Sequence, residues 1–358
     1  MIASVKTIDP ALRTSSRSFE ERGLRDFLGR PLCDLRISVI DRCNFRCHYC
    51  MPQEYSKRYT FLKETEWLSF DEIVRLAHLF AALGVSKIRL TGGEPLLRPR
   101  LPELIKELKR IPGIKDLAMT TNGSLVSEYA KALKEAGLDR ITISLDTLDA
   151  ALFRRMSGGN GRLEDVLEGI RRAEEADFDC IKINVVLQKS GNDHQILDLV
   201  RYFKGGKSIL RFIEYMDVGN CNRWNIKDVV PSAEVVKTIH EHFPIKPAKS
   251  NYFGEVASRY QFLDGSGEVG FIPSVTQPFC RTCTRARLST DGRMYMCLFS
   301  AEGVNLRAAL RGGASDKNLL AIIQKTWQDR ADRYSEQRAQ LGTPSQFLPK
   351  VEMFQIGG

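Results

Sequence analysis

Residues 35–52 read LRISVIDRCNFRCHYCMP. The first six are apolar or β-branched residues interrupted only by Arg36 and Ser38, the pattern of a strand over 35–40. Directly after it, Cys43, Cys47 and Cys50 fall at the spacing C-x3-C-x2-C. Three thiolates on one short loop can hold three irons of a [4Fe–4S] cube, because such clusters are cysteine-ligated. The fourth iron is then open to a small molecule. A zinc ion or a plain electron-transfer cluster is the ordinary alternative. Zinc, however, prefers four ligands, commonly as paired C-x2–4-C elements, and His48 beside Cys47 is expected to point outward.

Outward from this stretch, β-rich runs alternate with amphipathic ones. Strands are expected at 35–40, 86–91, 115–120, 140–145, 181–187 and 209–215, with helices at 70–83, 99–110, 125–136, 162–176 and 192–203. Phe70, Ile73, Val74, Leu76 and Ala77 form an apolar stripe near helical period, and Gly137 supplies a stop after 125–136. Strands separated by single helices pair in parallel through right-handed crossovers. Such units build either a doubly wound sheet or an incomplete barrel, and spacing alone does not separate the two. In both, ligands gather at the C-terminal ends of the strands, where Cys43, Gly92, Gly93, Glu94, Asn122, Asp146 and Met216 are expected to share one edge.

After residue 245 short segments punctuated by Pro and Gly replace the alternation, and a C-terminal extension packed over the barrel mouth is expected. Within it Cys280, Cys283 and Cys297 have the spacing C-x2-C-x13-C, and no histidine follows residue 243 to complete a zinc site. Three ligands again suggest a cluster with one open iron. Arg285 and Arg287 alternate on a strand-like run, so their guanidiniums share a face, and guanidinium suits phosphate through bidentate charge-assisted bonds.

The 358-residue chain is 43% hydrophobic and 27% charged, as in a soluble globular protein, with a net charge of +9. No block of five or six like charges suggests a nucleic-acid arm. No run approaches a membrane span of about 18 apolar residues, and no secretory signal opens the sequence. A cytoplasmic location is expected. Nine cysteines without such a signal do not read as a disulfide framework. Cys33, Cys180 and Cys221, outside the two trios, are expected to be inert thiols.

The cysteine loop, with Tyr49 before its last cysteine, resembles the signature of the radical S-adenosylmethionine (SAM) superfamily, and Thr91-Gly92-Gly93-Glu94-Pro95 resembles that superfamily's GGEP motif. From about Leu35 to the last residue the chain resembles one family more closely. LRISVIDRCNFRCHYCMP, KIRLTGGEPLLRP, MTTNG, ITISLDTLD, FIEYMDVG, CRTCTRARLSTDGRMYMCLF and the terminal Gly357-Gly358 are all similar to motifs of the GTP 3′,8-cyclases, which open molybdenum-cofactor biosynthesis. The resemblance implies an α/β fold, an incomplete parallel (β/α)6 radical SAM barrel with a C-terminal iron–sulfur extension. It implies two [4Fe–4S] clusters, on Cys43, Cys47 and Cys50 for SAM and on Cys280, Cys283 and Cys297 for GTP. SAM contacts are then Tyr49, Gly93, Ser144 and Met216. GTP contacts are Arg36, Arg89, Thr120, Lys182, Arg285, Ala286 and Arg287, with Arg285, Arg287, Gly357 and Gly358 serving catalysis. The implied reaction is conversion of GTP to (8S)-3′,8-cyclo-7,8-dihydroguanosine 5′-triphosphate. An electron donor, a homodimer and a downstream cyclic pyranopterin monophosphate synthase are expected partners, with no membrane and no nucleic acid.

The corresponding organisation is an N-terminal extension over 1–30, the barrel over 31–245, a region with the second cluster over 246–340 and a tail over 341–358. Two other readings compete. A radical SAM peptide maturase with auxiliary clusters needs more C-terminal cysteines and no triphosphate clamp. An iron–sulfur or zinc protein that binds nucleic acid explains the charge but not the GGEP run beside two cysteine trios.

Overall fold

The computed structural model describes residues 23–338 and 350–357; most of the expected N-terminal extension, residues 341–349 of the tail, and Gly358 lie outside the described residues. Six parallel strands follow the expected alternation: β1 (Asp34–Ser38), β2 (Lys87–Thr91), β3 (Asp116–Thr121), β4 (Arg140–Ser144), β5 (Cys180–Leu187) and β6 (Ser208–Glu214). Each leads to a helix: α1 (Phe70–Ala82), α2 (Leu101–Lys109), α3 (Val126–Glu135), α4 (Leu163–Glu175), α5 (Ile196–Phe203) and α6 (Ser232–His242). Local chemistry sets these ends. Ser69 and Glu72 form a reciprocal capping box at the start of α1, with Glu72 N to Ser69 Oγ at 3.1 Å and Ser69 N to Glu72 Oε2 at 2.8 Å. Gly137, at φ 98°, ends α3 in a conformation that disfavours residues with a Cβ.

Alternation along the strands divides the barrel into two environments. On β5, Ile181, Ile183, Val185 and Leu187 are buried among the helices, while Cys180, Lys182 and Asn184 face the other way. The same offset places Asp34 and Arg36, Lys87 and Arg89, Arg140 and Thr142, and Arg211 on the inward face. The apolar core therefore lies between strands and helices, and the interior of the barrel is polar.

The region after 245 continues the sheet itself. Strands β7 (Ile245–Ala248), β8 (Ser258–Phe262) and β9 (Glu268–Ile272) extend the sheet beyond β6. Strands β10 (Arg285–Leu288), β11 (Arg293–Tyr295) and β12 (Val304–Asn305) extend it beyond β1. β9 and β10 run parallel to the strands they join, so both open edges of the six-stranded sheet are covered. The Pro and Gly punctuation marks hairpins here.

Candidate active site

The loop after β1 is shaped by its own backbone and by β2. Cys50 N and Met51 N donate to Cys47 O at 3.0 and 2.9 Å, and Arg46 Nη1 donates to Cys43 O at 2.6 Å. Gly92 and Gly93 press against the start of the loop: a Cβ on Gly93 would lie 2.1 Å from Arg42 O, and one on Gly92 2.5 Å from Ile40 O. Glu94, fully buried, accepts from Thr121 Oγ1 at 2.7 Å, Asn122 N at 2.7 Å and Leu96 N at 3.1 Å. Burial, only partly offset by those donors, pushes its carboxyl up to about 7. Asn122 in turn donates to Asn44 Oδ1 at 2.7 Å and reaches Cys43 Sγ at 3.8 Å. The GGEP run and the MTTNG run thus hold the cysteine loop from two strand ends.

All three thiols of this loop are pushed up, Cys47 and Cys50 partly by their neighbours in it. Burial, then Glu94, pushes Cys43 up to about 11; burial, then Cys43, pushes Cys47 higher; burial, then Cys47 and Cys43, does the same at Cys50. Such a trio is unfavourable as free thiolates and is relieved by a cationic centre, so the residues present fit an iron–sulfur cluster. Among the described residues, no group of three or more Cys, His, Asp or Glu side chains is arranged to hold a single metal ion. Tyr49 donates to Asp146 Oδ2 at 2.6 Å, which fixes its ring.

Below this loop a cavity of about 190 Å³ runs down the barrel interior. It is lined by Arg36, Arg89, Thr120, Lys182, Arg285, Arg287 and Met216, and by all three cysteines of the second trio. Gly93 and Ser144 sit at the strand ends above it. Ala286 does not line it, because on β10 it pairs beside Leu35 and is fully buried on the helix-facing side. The cavity reaches past the middle of the strands to their N-terminal ends, where Asp34, Lys87 and Arg140 also line it. The expected gathering at the C-terminal ends therefore holds for the first cysteine loop but not for the second, which borders β1 at its start: Cys33 N and Asp34 N both donate to Thr284 O at 3.1 Å.

Ten cationic side chains line this cavity against two acidic ones, Asp34 and Asp332. At the N-terminal end the charges alternate, with Lys87 3.6 Å from both Asp34 and Asp116, and Arg140 paired with Asp116. Further in they do not. Arg287, Arg36 and Arg89 stand side by side in register on β10, β1 and β2. None of these three, nor Lys182 or Arg211, has a carboxylate within 4.0 Å in any ion pair among the described residues. Burial first, then Arg287, Arg285 and Arg89, holds the Arg36 guanidinium well below its ordinary range. Burial brings Arg211 and Arg287 each down to about 10, and burial, then Arg211, brings Lys182 down to about 8. Neighbouring strands lie about 4.8 Å apart, so each like-charged pair costs up to roughly 3 kcal/mol at an effective dielectric near 20. A polyanion offsets that repulsion.

The second trio is electrostatically different from the first. Burial pushes Cys283 up, but Arg285 and Arg330 outweigh it and bring the thiol down to about 6. Arg285 Nη2 and Arg330 Nη2 lie 3.3 and 3.2 Å from its Sγ. Cys297 is pushed up to about 12 by burial and Asp332. Two guanidiniums beside one thiolate favour a negatively charged sulfur ligand, which fits a second cluster. The tail closes the site: Arg287 Nη1 donates to Gly357 O, and a Cβ on Gly357 would come 2.0 Å from Thr91 Cγ2.

Residues 37–203 match the Radical SAM superfamily model, and residues 208–336 match the model described as Molybdenum Cofactor Synthesis C. A GTP 3′,8-cyclase of Xanthomonas campestris pv. campestris (strain B100) is 52% identical over 335 residues, spanning 94% of this chain and 97% of that protein. The chain belongs to the GTP 3′,8-cyclase family. A GTP 3′,8-cyclase of Staphylococcus epidermidis (strain ATCC 35984) is 46% identical across 94% of the chain and 99% of its own length. Among solved structures, Streptococcus suis SuiB bound to S-adenosylmethionine superposes with a TM-score of 0.57 at 18% identity, over 84% of this chain and 66% of SuiB. That likeness shows the radical SAM fold. Membership of the GTP 3′,8-cyclase family brings with it SAM and an iron–sulfur cluster as cofactors.

Sequence reasoning missed Lys87, Arg140, Arg211, Tyr252, Arg30 and Arg330, all of which line the cavity. For Lys87, Arg140 and Arg211 a signal existed. Each is a cation at alternate spacing within an otherwise apolar strand, as are Arg36 and Lys182, which the resemblance named. Arg30 and Arg330 come from outside the barrel strands and carry no such mark. Among the described residues no helix is long and apolar enough to cross a membrane.

Proposed function

We propose that this chain converts GTP to (8S)-3′,8-cyclo-7,8-dihydroguanosine 5′-triphosphate, the first step of molybdenum-cofactor biosynthesis. The observation that supports it most is the uncompensated row Arg287, Arg36 and Arg89, with Lys182 and Arg211, in a cavity lined by the second cysteine trio and by Met216. SAM bound at a cluster on Cys43, Cys47 and Cys50 supplies a carbon-centred radical able to abstract a ribose hydrogen.

The chain's own side chains do the rest. The basic row fixes the triphosphate, and Cys280, Cys283 and Cys297 would hold a second cluster, whose open iron would take the guanine end. With both ends fixed, the ribose lies between the two trios, and orientation supplies much of the rate. Gly93, Ser144, Met216 and the Tyr49 backbone hold SAM against the first trio. Gly357 fills the space beside Thr91 and Arg287, where no side chain fits, and excludes water from the reacting atoms, with Gly358 serving catalysis beside it in sequence. Thr120 stays on the substrate side by accepting from Arg89 Nη1 at 3.0 Å. The product is passed to a cyclic pyranopterin monophosphate synthase, an external donor supplies electrons, and the enzyme works as a cytoplasmic homodimer.

Anaerobically reconstituted protein is expected to carry about eight irons per chain. With SAM, a reductant and GTP it gives the cyclised nucleotide. The triple variant C280A/C283A/C297A is expected to hold about half that iron and to form no cyclised product. Full cyclisation by the triple variant would overturn the assignment of the second trio.

A further inference from the structure

The tail that brings Gly357 to Arg287 comes from far along the chain, and its placement needs an anchor. Gly357 itself, at φ 72° with no room for a Cβ, has little latitude. Many of the contacts that fix the residues before it fall on five residues, Asp217–Cys221, which begin immediately after Met216; others go to Ser300, Tyr334, Tyr55 and Tyr59. Lys350 Nζ donates to Asp217 O at 2.8 Å and pairs with its carboxylate at 2.9 Å, and Lys350 N donates to Asn220 Oδ1 at 2.9 Å.

Glu352 is the centre of this contact. It is 2% exposed. One carboxylate oxygen accepts from Asn220 N and from Asn220 Nδ2, both at 3.1 Å; the other accepts from Cys221 Sγ at 3.1 Å. The Tyr55 hydroxyl bonds the same group. All these donors are neutral, so the carboxylate is held by directed hydrogen bonds and not by an ion pair. Gly219 leaves no alternative fit, since a Cβ there would lie 2.1 Å from Glu352 Oε2. Glu352 also starts the short helix Met353–Ile356, where Gln355 returns a bond to Glu352 N at 2.9 Å and donates to Tyr59 at 2.8 Å. Phe354 packs edge-on against Tyr59 at 5.0 Å. On its other side Cys221 Sγ is 3.4 Å from the carbonyl of Cys50.

We propose that Glu352 is a positioning residue: its carboxylate, latched on Gly219, Asn220 and Cys221, sets Gly357 against Thr91 and Arg287. The latch ties the tail to the segment that follows Met216 and to the backbone of a cluster-loop cysteine, so tail and SAM site share one support. The role of Gly357 rests on the proposed function; the latch itself does not.

The test uses the full-length reconstituted enzyme and two independent readouts, hydrogen exchange of the 350–357 amides and cyclised product per minute. Glu352→Ala is expected to raise tail exchange at least about tenfold and to lower turnover at least about tenfold, with iron content, SAM affinity and the melting temperature unchanged. Gly219→Ala, altered on the receptor side, is expected to reproduce both effects. Cys221→Ser keeps a donor and is expected to keep the tail protected. Wild-type exchange in both E352A and G219A overturns the latch. Raised exchange with undiminished turnover overturns the positioning role. Should the wild-type enzyme make no cyclised product at all, the proposed function fails while the exchange contrast still decides the latch.

Discussion

Lys182 faces the cavity from β5, in register with Thr142 on β4 and Ile209 on β6. Burial, then Arg211, brings its ammonium from 10.5 down to about 8. The unfolded chain therefore holds this proton more tightly than the ligand-free folded protein. Between about pH 8 and 10.5 the folded form sheds the proton first, so stability rises with pH in that window. Lys182→Met is expected to abolish that rise and to stabilise the ligand-free protein at pH 7 by about 1–3 kcal/mol, as read from denaturant melts at pH 7 and pH 10. The same variant is expected to lose affinity for the triphosphate about 10- to 100-fold, while guanosine affinity is unchanged in calorimetry. Triphosphate affinity of the wild-type protein falls as pH rises above 8. A substitution that stabilises the empty protein and weakens the ligand is the signature of a side chain placed for binding.

At the scale of elements, the strand–loop units carry the cofactor chemistry. Replacing Gly93 by Ala drives a methyl into Arg42 O at 2.1 Å and toward Cys43 N at 3.0 Å, both backbone atoms of the cysteine loop. Gly93→Ala is expected to lose about four irons per chain while far-ultraviolet circular dichroism stays native; retention of all iron would show that the loop can shift to accommodate the methyl. This motif was legible because its chemistry is local: cysteine spacing, paired glycines and strand pattern all lie within a few residues. The strands and helices were legible for the same reason, and their ends agree with expectation within a few residues. Arg211 and Arg140 carried the strand-alternation signal, but that they face one cavity with Arg36 and Arg89 depends on register across the sheet. Glu352 was invisible, since its partners Asn220 and Cys221 lie more than 130 residues away and short polar residues carry no periodic signal.

At the scale of the whole molecule, one sheet of twelve strands runs through both matched family regions. β9 and β10 sit on the two edges of the six-stranded core, so removal of residues after 245 uncovers both edges. A chain ended at residue 245 is expected to aggregate, and the full chain to unfold in one calorimetric transition; two separated transitions would show that the C-terminal region folds independently. That the segments after 245 extend the sheet was not legible, because Pro and Gly mark turns without stating which edge the flanking strands join. The resulting arrangement puts one cysteine trio at the C-terminal ends of the strands and the other beside the start of β1, with the basic row between them. The central claim is that this span holds one GTP with its ribose facing the SAM site. Reduced, reconstituted enzyme incubated with SAM and GTP deuterated at the ribose 3′ carbon tests it most directly, by mass spectrometry of the 5′-deoxyadenosine released. The account predicts deuterium in that product and no SAM cleavage beyond background without GTP; unlabelled 5′-deoxyadenosine formed at the same rate with or without GTP would contradict it.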